Sequence, residues 1–221
     1  TGNVIESNTT LKGKKILGGF VGKNIGTVSL GTKIDTDNVK LTVDNKSGSA
    51  IGVIIGENAS DKTIDLKELN LIKNVTVSSA EFAGGIVGIN GSNHTICHSE
   101  VNNLLQNDPN SSNVRYQLAN VSEADKYNKY GISIAVSVSD VDNFGLIVGR
   151  NEGSITDVCV YNYSDSYQKG GFVNSNNVTN IGGIVGQNGN GTTAGTIRRC
   201  FNYMNIIGGN AAGIAGNVGG K

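Results

Sequence analysis

Gly182-Gly183-Ile184-Val185-Gly186-Gln187-Asn188 decides the fold, because the chain writes this phrase six times. The pattern is Gly, an apolar or glycyl residue, Ile or Phe, a small aliphatic, Gly, any residue, Asn. Other copies run over 18–24, 52–58, 84–90 and 145–151, and a degraded one over 212–218. The second Gly of each copy falls at 22, 56, 88, 149, 186 and 216, at intervals of 34, 32, 61, 37 and 30 residues. Self-similarity at a period of about 30 residues marks a stacked repeat architecture. The interval of 61 is about two periods. It holds either a repeat that lost its motif or an inserted loop. Segment 102–129 is polar, lacks the motif and carries the single proline, Pro109, and it is expected to be an inserted loop rather than a coil.

Outward from the motif, the apolar runs are short and β-branched: 40–43, 75–77 and 132–138. The last alternates apolar with small polar residues, which is strand periodicity. Helix-pair repeats need long runs at 3.6 spacing and few glycines, and are excluded. Only 122–130 hints at a helical turn. Strands and turns at this period predict one all-β domain over 1–221, a parallel β-helix of coils of about 30 residues. Right-handed winding is expected, as for nearly all parallel crossovers.

Stacked coils turn the motif into columns. Phe20, Ile54, Ile86, Ile147, Ile184 and Ile214 are expected to line the core. Asn24, Asn58, Asn90, Asn151 and Asn188 form a second column, suited to left-handed turns and to hydrogen bonds between like side chains. Val21, Ile55, Val87, Val148 and Val185 pose a difficulty. On a straight strand they point away from the core, so that face needs a second layer or a partner.

Composition limits the function. Lys plus Arg equals Asp plus Glu at 18 each, which argues against a nucleic-acid partner, since that needs a basic footprint. No run of 18 apolar residues is present, so no membrane insertion is expected within this segment. Gly is 32 of 221 and Asn about as frequent, which predicts many tight turns. The chain starts and stops in mid-pattern and reads as a portion of a longer protein. Cys97, Cys159 and Cys200 are too few for a disulfide scaffold and read as small core residues. Cys159 and Cys200 look like equivalent positions of two repeats.

Gly182–Asn188 followed by Gly195-Thr196-Ile197-Arg198-Arg199-Cys200-Phe201-Asn202 resembles the GLUG-repeat family. The copy at 145–151, with Gly153-Ser154-Ile155 and Cys159-Val160-Tyr161-Asn162, is similar, and the copy at 84–90 with Thr95-Ile96-Cys97 matches more loosely. The resemblance implies a segment of a bacterial cell-surface or secreted protein, either an adhesin or the non-catalytic region of an immunoglobulin-A1 metallopeptidase. The family has no catalytic residues to carry over.

Other constellations have bland explanations. His94 and His98 share a strand face about 13 Å apart, too far for one metal ion. Cys97 faces the other way, and both histidines read as surface residues. Asp35, Asp37, Asp140 and Asp142 alternate as calcium ligands do, without full loop spacing, and read as turn residues. A β-helix polysaccharide lyase or hydrolase needs acidic residues recurring on one face, and none recur at the period. Neither a Gly-x-Ser-x-Gly elbow nor a His-Glu-x-x-His is present. No cofactor or metal is implied.

Tyrosines remain. Tyr161, Tyr163, Tyr127 and Tyr130 cluster in or beside loops and are the candidate contacts for a host protein or glycan. Phe201-Asn202-Tyr203 echoes Tyr161-Asn162-Tyr163, which equally suits an aromatic column. The sequence therefore predicts a non-catalytic, adhesive or ligand-binding scaffold. The alternatives are an accessory substrate-binding domain of an immunoglobulin-A-type metallopeptidase and a β-helix carbohydrate enzyme.

Overall fold

The computed structural model describes residues 5, 8–31, 33–69, 71–106, 118, 121–122, 125–161 and 174–219; side chains of 33–37, 71, 127–128 and 174–176 are left aside. The chain is a parallel β-helix solenoid. Each full coil gives one strand to each of three parallel sheets. One coil runs Leu71–Gly84, Val87–Asn90 and Thr95–Cys97, and the next runs Gly131–Gly145, Val148–Asn151 and Ser154–Thr156. The first sheet has ten strands, the second six and the third four.

Register fixes the period. Gly52 pairs with Gly84, Gly84 with Gly145, and Gly145 with Gly182. The 61-residue interval therefore closes one coil rather than two. The third strand of the coil is followed by a helix, α1 (Ser99–Gln106), which the sequence did not announce. Residues 102–106 of the expected loop are thus helical. The expected turn over 122–130 contains a short helix, Lys126–Tyr130.

The motif is not a straight strand. Gly84 ends one strand, Val87 begins another, and Gly85–Ile86 turn the corner between them. The N–H groups of Ile86 and Val87 both donate to Ile147 O, at 3.1 and 2.9 Å. The same double donation joins Ile54 and Ile55 to Ile86 O, and Ile147 and Val148 to Ile184 O. At such a corner two consecutive side chains turn inward. Ile54, Ile86, Ile147 and Ile184 are buried, and so are Ile55, Val87, Val148 and Val185. No covering layer is needed for that second set, contrary to the straight-strand expectation. Phe20 and Ile214 are half-buried against the same core. Each fully buried Ile contributes about 1.5–3 kcal/mol of burial free energy.

Glycine makes the corner possible by size. A Cβ on Gly84 would lie 1.9 Å from Val87 O and 2.8 Å from Gly149 N. The equivalent atom on Gly52 would lie 1.8 Å from Ile55 O.

The motif asparagines form an amide ladder through the stack. Asn24 Nδ2 donates to Asn58 Oδ1 at 3.0 Å, Asn58 to Asn90 at 2.9 Å, Asn90 to Asn151 at 2.9 Å and Asn151 to Asn188 at 2.8 Å. Their backbones are not left-handed, which corrects the turn expectation. Left-handed residues form columns elsewhere: Asn8, Asn38 and Asn74; then Ser79, Asp140 and Asn177; then Asp157 and Arg199. Asn and Asp tolerate this region best, and Ser79 and Arg199 are the exceptions in kind.

Candidate binding face

The face with most chemical variety lies where α1 meets the coil edge. Val101 and Leu105, one helical turn apart, are buried in a satellite cluster with Leu118, Cys159 and Tyr161. Leu104, Tyr130 and Phe201 pack on its margin. The start of α1 is pinned from two sides. His98 Nδ1 accepts the Val101 N–H at 3.4 Å, and Asp65 Oδ1 accepts the Ser99 N–H at 3.0 Å and the Lys67 N–H at 3.1 Å. His98 is 1% exposed, which corrects its reading as a surface residue. Burial pushes its imidazole down to about 4, outweighing the pull of Asp65, Glu100 and Asp157. Burial pushes the Asp65 carboxyl up, but its bonds from Ser99 and Lys67 prevail and hold it below its ordinary value.

Asp157 is the fixed point under the helix. Its carboxylate is buried and accepts from Asn102 Nδ2 at 2.8 Å, Thr156 Oγ1 at 2.6 Å and two Arg199 N–H groups. Burial pushes this carboxyl upward, yet the Arg199, Thr156 and Asn102 bonds prevail and hold it below the usual carboxylate range. The sequence held one sign of this pair. Asp157 and Arg199 stand two residues past the Ile of successive Gly-x-Ile elements, with opposite charge.

Aromatic rings stack beside this anchor. Cys159 pairs with Phe201 and Val160 with Asn202, so Tyr161 lies over Tyr203. Their centroids are 4.8 Å apart at 19°. Phe201 tilts against Tyr203 at 4.3 Å. The echo is thus offset: Tyr161 matches Tyr203, not Phe201. Tyr161 is buried and cannot be a surface contact, whereas Tyr203 is more than half exposed. Tyr130 is half-buried beneath the Lys129 ammonium, 5.3 Å from its ring centroid. Tyr163 and the Tyr127 side chain lie outside the described residues.

The register also separates the cysteines. Cys159 faces Phe201, so Cys200 occupies the position of Val158 and the two are not equivalent. Burial pushes the Cys97 thiol up to about 11 and Cys200 to about 12, and raises Cys159 as well. None is a thiolate nucleophile at neutral pH. The acidic pair at 140–142 is occupied by a cation of the chain itself: Lys46 Nζ lies 2.8 Å from both Asp140 and Asp142. The Asp35 and Asp37 side chains are outside the described set. Among the described residues no three His, Cys, Asp or Glu are placed to hold a metal ion. No helix among them is long and apolar enough to cross a membrane.

No family model, curated protein or solved structure matches this chain.

Proposed function

We propose that this chain is a non-catalytic repeat segment of a bacterial cell-surface or secreted protein, an extended scaffold that engages a host protein or glycan through its lateral faces. The observation that carries this reading is the laying of like on like by register. The amide ladder, the Ile column and the Tyr161–Tyr203 stack each repeat one group from coil to coil. Repetition makes broad faces of similar chemistry, whereas catalysis needs a few unlike groups converging on one point. The resemblance of the motif to GLUG repeats supplies the cellular setting. Tyr203 is the contact the geometry favours, because a ring fixed by stacking loses little freedom when it binds.

The test is a glycan and host-protein array with the full chain and Tyr203→Ala. A ligand bound by the parent, and weakened by Tyr203→Ala while the melting temperature stays within a few degrees, supports the reading. Turnover of a polysaccharide or peptide by the chain would overturn it.

A further inference from the structure

We propose that His98 is an acid-sensitive latch, which holds α1 against the coils through its neutral imidazole and releases the helix on gaining a proton. The geometry sets both states. His98 closes the N-terminus of α1, with its carbonyl accepting the Asn102 N–H at 3.1 Å and its Nδ1 accepting the Val101 N–H. A neutral imidazole has one acceptor nitrogen, and an imidazolium has none. Protonation therefore sets two N–H donors against each other in a site that is 1% exposed. It also places a cation at the positive end of the helix. Asp65 already holds the neighbouring N–H groups, its Oδ1 accepting from Ser99 and Lys67.

Among the described residues, three carboxylates face the imidazole. Asp65 comes from the preceding coil, Glu100 from α1 itself and Asp157 from the following coil. Arg199 offsets Asp157, and Lys129 lies 3.5 Å from Glu100. These carboxylates and a hydrogen bond to the His98 backbone favour the imidazolium, and burial outweighs them, holding the closed form at about 4 against an ordinary 6.5. The sign follows. The open form binds the proton more readily, so the latch is at full strength above 6.5 and is lost as the pH falls through about 4. The open-to-closed ratio of α1 then rises on the order of 100-fold between pH 7 and pH 4. The helix covers Cys159 and Tyr161, which release uncovers. This device stands apart from the proposed function.

The experiment uses the full chain. His94 and His98 are its two histidines, so their imidazole carbon-bound protons can be followed by NMR, with His94→Gln assigning the signals. Hydrogen exchange over 99–106 and over 131–145 is measured alongside, corrected for intrinsic rates. The expected result is a His98 midpoint well below 6.5, with protection of 99–106 falling on the order of 100-fold while 131–145 stays protected. His98→Asn keeps a capping acceptor and cannot titrate here, so its α1 protection should be flat over the same range. The parent alone decides the matter if that variant does not fold. A His98 midpoint near 6.5 with α1 still protected would overturn the proposal. So would parallel loss in the parent and His98→Asn, or simultaneous exchange of 131–145.

Discussion

Asn90→Ala tests whether the amide ladder is a structural spine. Asn90 is fully buried at the middle of the stack. Its Oδ1 accepts from Asn58 at 2.9 Å, and its Nδ2 donates to Asn151 Oδ1 at 2.9 Å and His94 O at 3.1 Å. Truncation strands the Asn58 donor and the Asn151 acceptor; His94 O keeps the Ser154 N–H at 2.8 Å. Each of the two stranded buried groups costs about 1–3 kcal/mol, so the expected loss is about 2–6 kcal/mol. Asn188→Ala is the matched control. Asn188 is half-buried, and without it Asn151 Nδ2 still reaches Gly153 O and Thr196 O, each at 3.3 Å. That loss should be about 1 kcal/mol. Urea unfolding followed by circular dichroism and tyrosine fluorescence gives both values from midpoints at constant slope. Asn90→Asp adds a pH readout. Its carboxylate cannot donate to Asn151, and burial raises its folded pKa above the unfolded value. The damage should therefore shrink on acidification, as the protonated form regains a donor. If Asn90→Ala costs no more than Asn188→Ala, the ladder is ornament on a fold held by the core alone.

Two further outcomes follow from the corner and the anchor. Gly84→Ala drives a Cβ to 1.9 Å from Val87 O and should cost more than about 4 kcal/mol or block folding, while Gly26→Ala, with nothing within 4 Å, should stay within about 0.5 kcal/mol by thermal melting. Asp157→Asn keeps a residue that tolerates φ of +61°, but it removes the charge beneath α1 and replaces one of the two acceptor oxygens with an NH2 donor; it should cost about 1.5–3 kcal/mol at pH 7. Because the folded Asp157 pKa lies below its ordinary 3.8, that stabilisation is present above 3.8 and disappears as the pH falls through the folded value, so parent and variant should converge in strong acid.

What was legible in the sequence is what a rung repeats. Ile54 and Ile86 read as one column because stacked coils put chemically similar side chains in contact, and their one-period spacing then gives the register. The corner was illegible for a physical reason. Period-two alternation assumes a continuous pleat, and Gly85–Ile86 break it, so that Ile86 and Val87 share one acceptor and both turn inward. A propensity reading has no term for this, since the glycines serve by lacking a Cβ rather than by adopting positive φ. The helix was illegible because two buried anchors, Val101 and Leu105, are too few to establish a 3.6 period. Its stability comes from Asp65 and Asp157, which belong to the coils before and after it. The error over Tyr161 descends from that omission. A tyrosine near a loop reads as a surface contact until the helix that covers it is in place. Once α1 is placed, the exposed partner of the stack, Tyr203, becomes the residue to test. The same helix explains how a histidine that reads as a surface residue becomes a buried cap whose proton the fold resists.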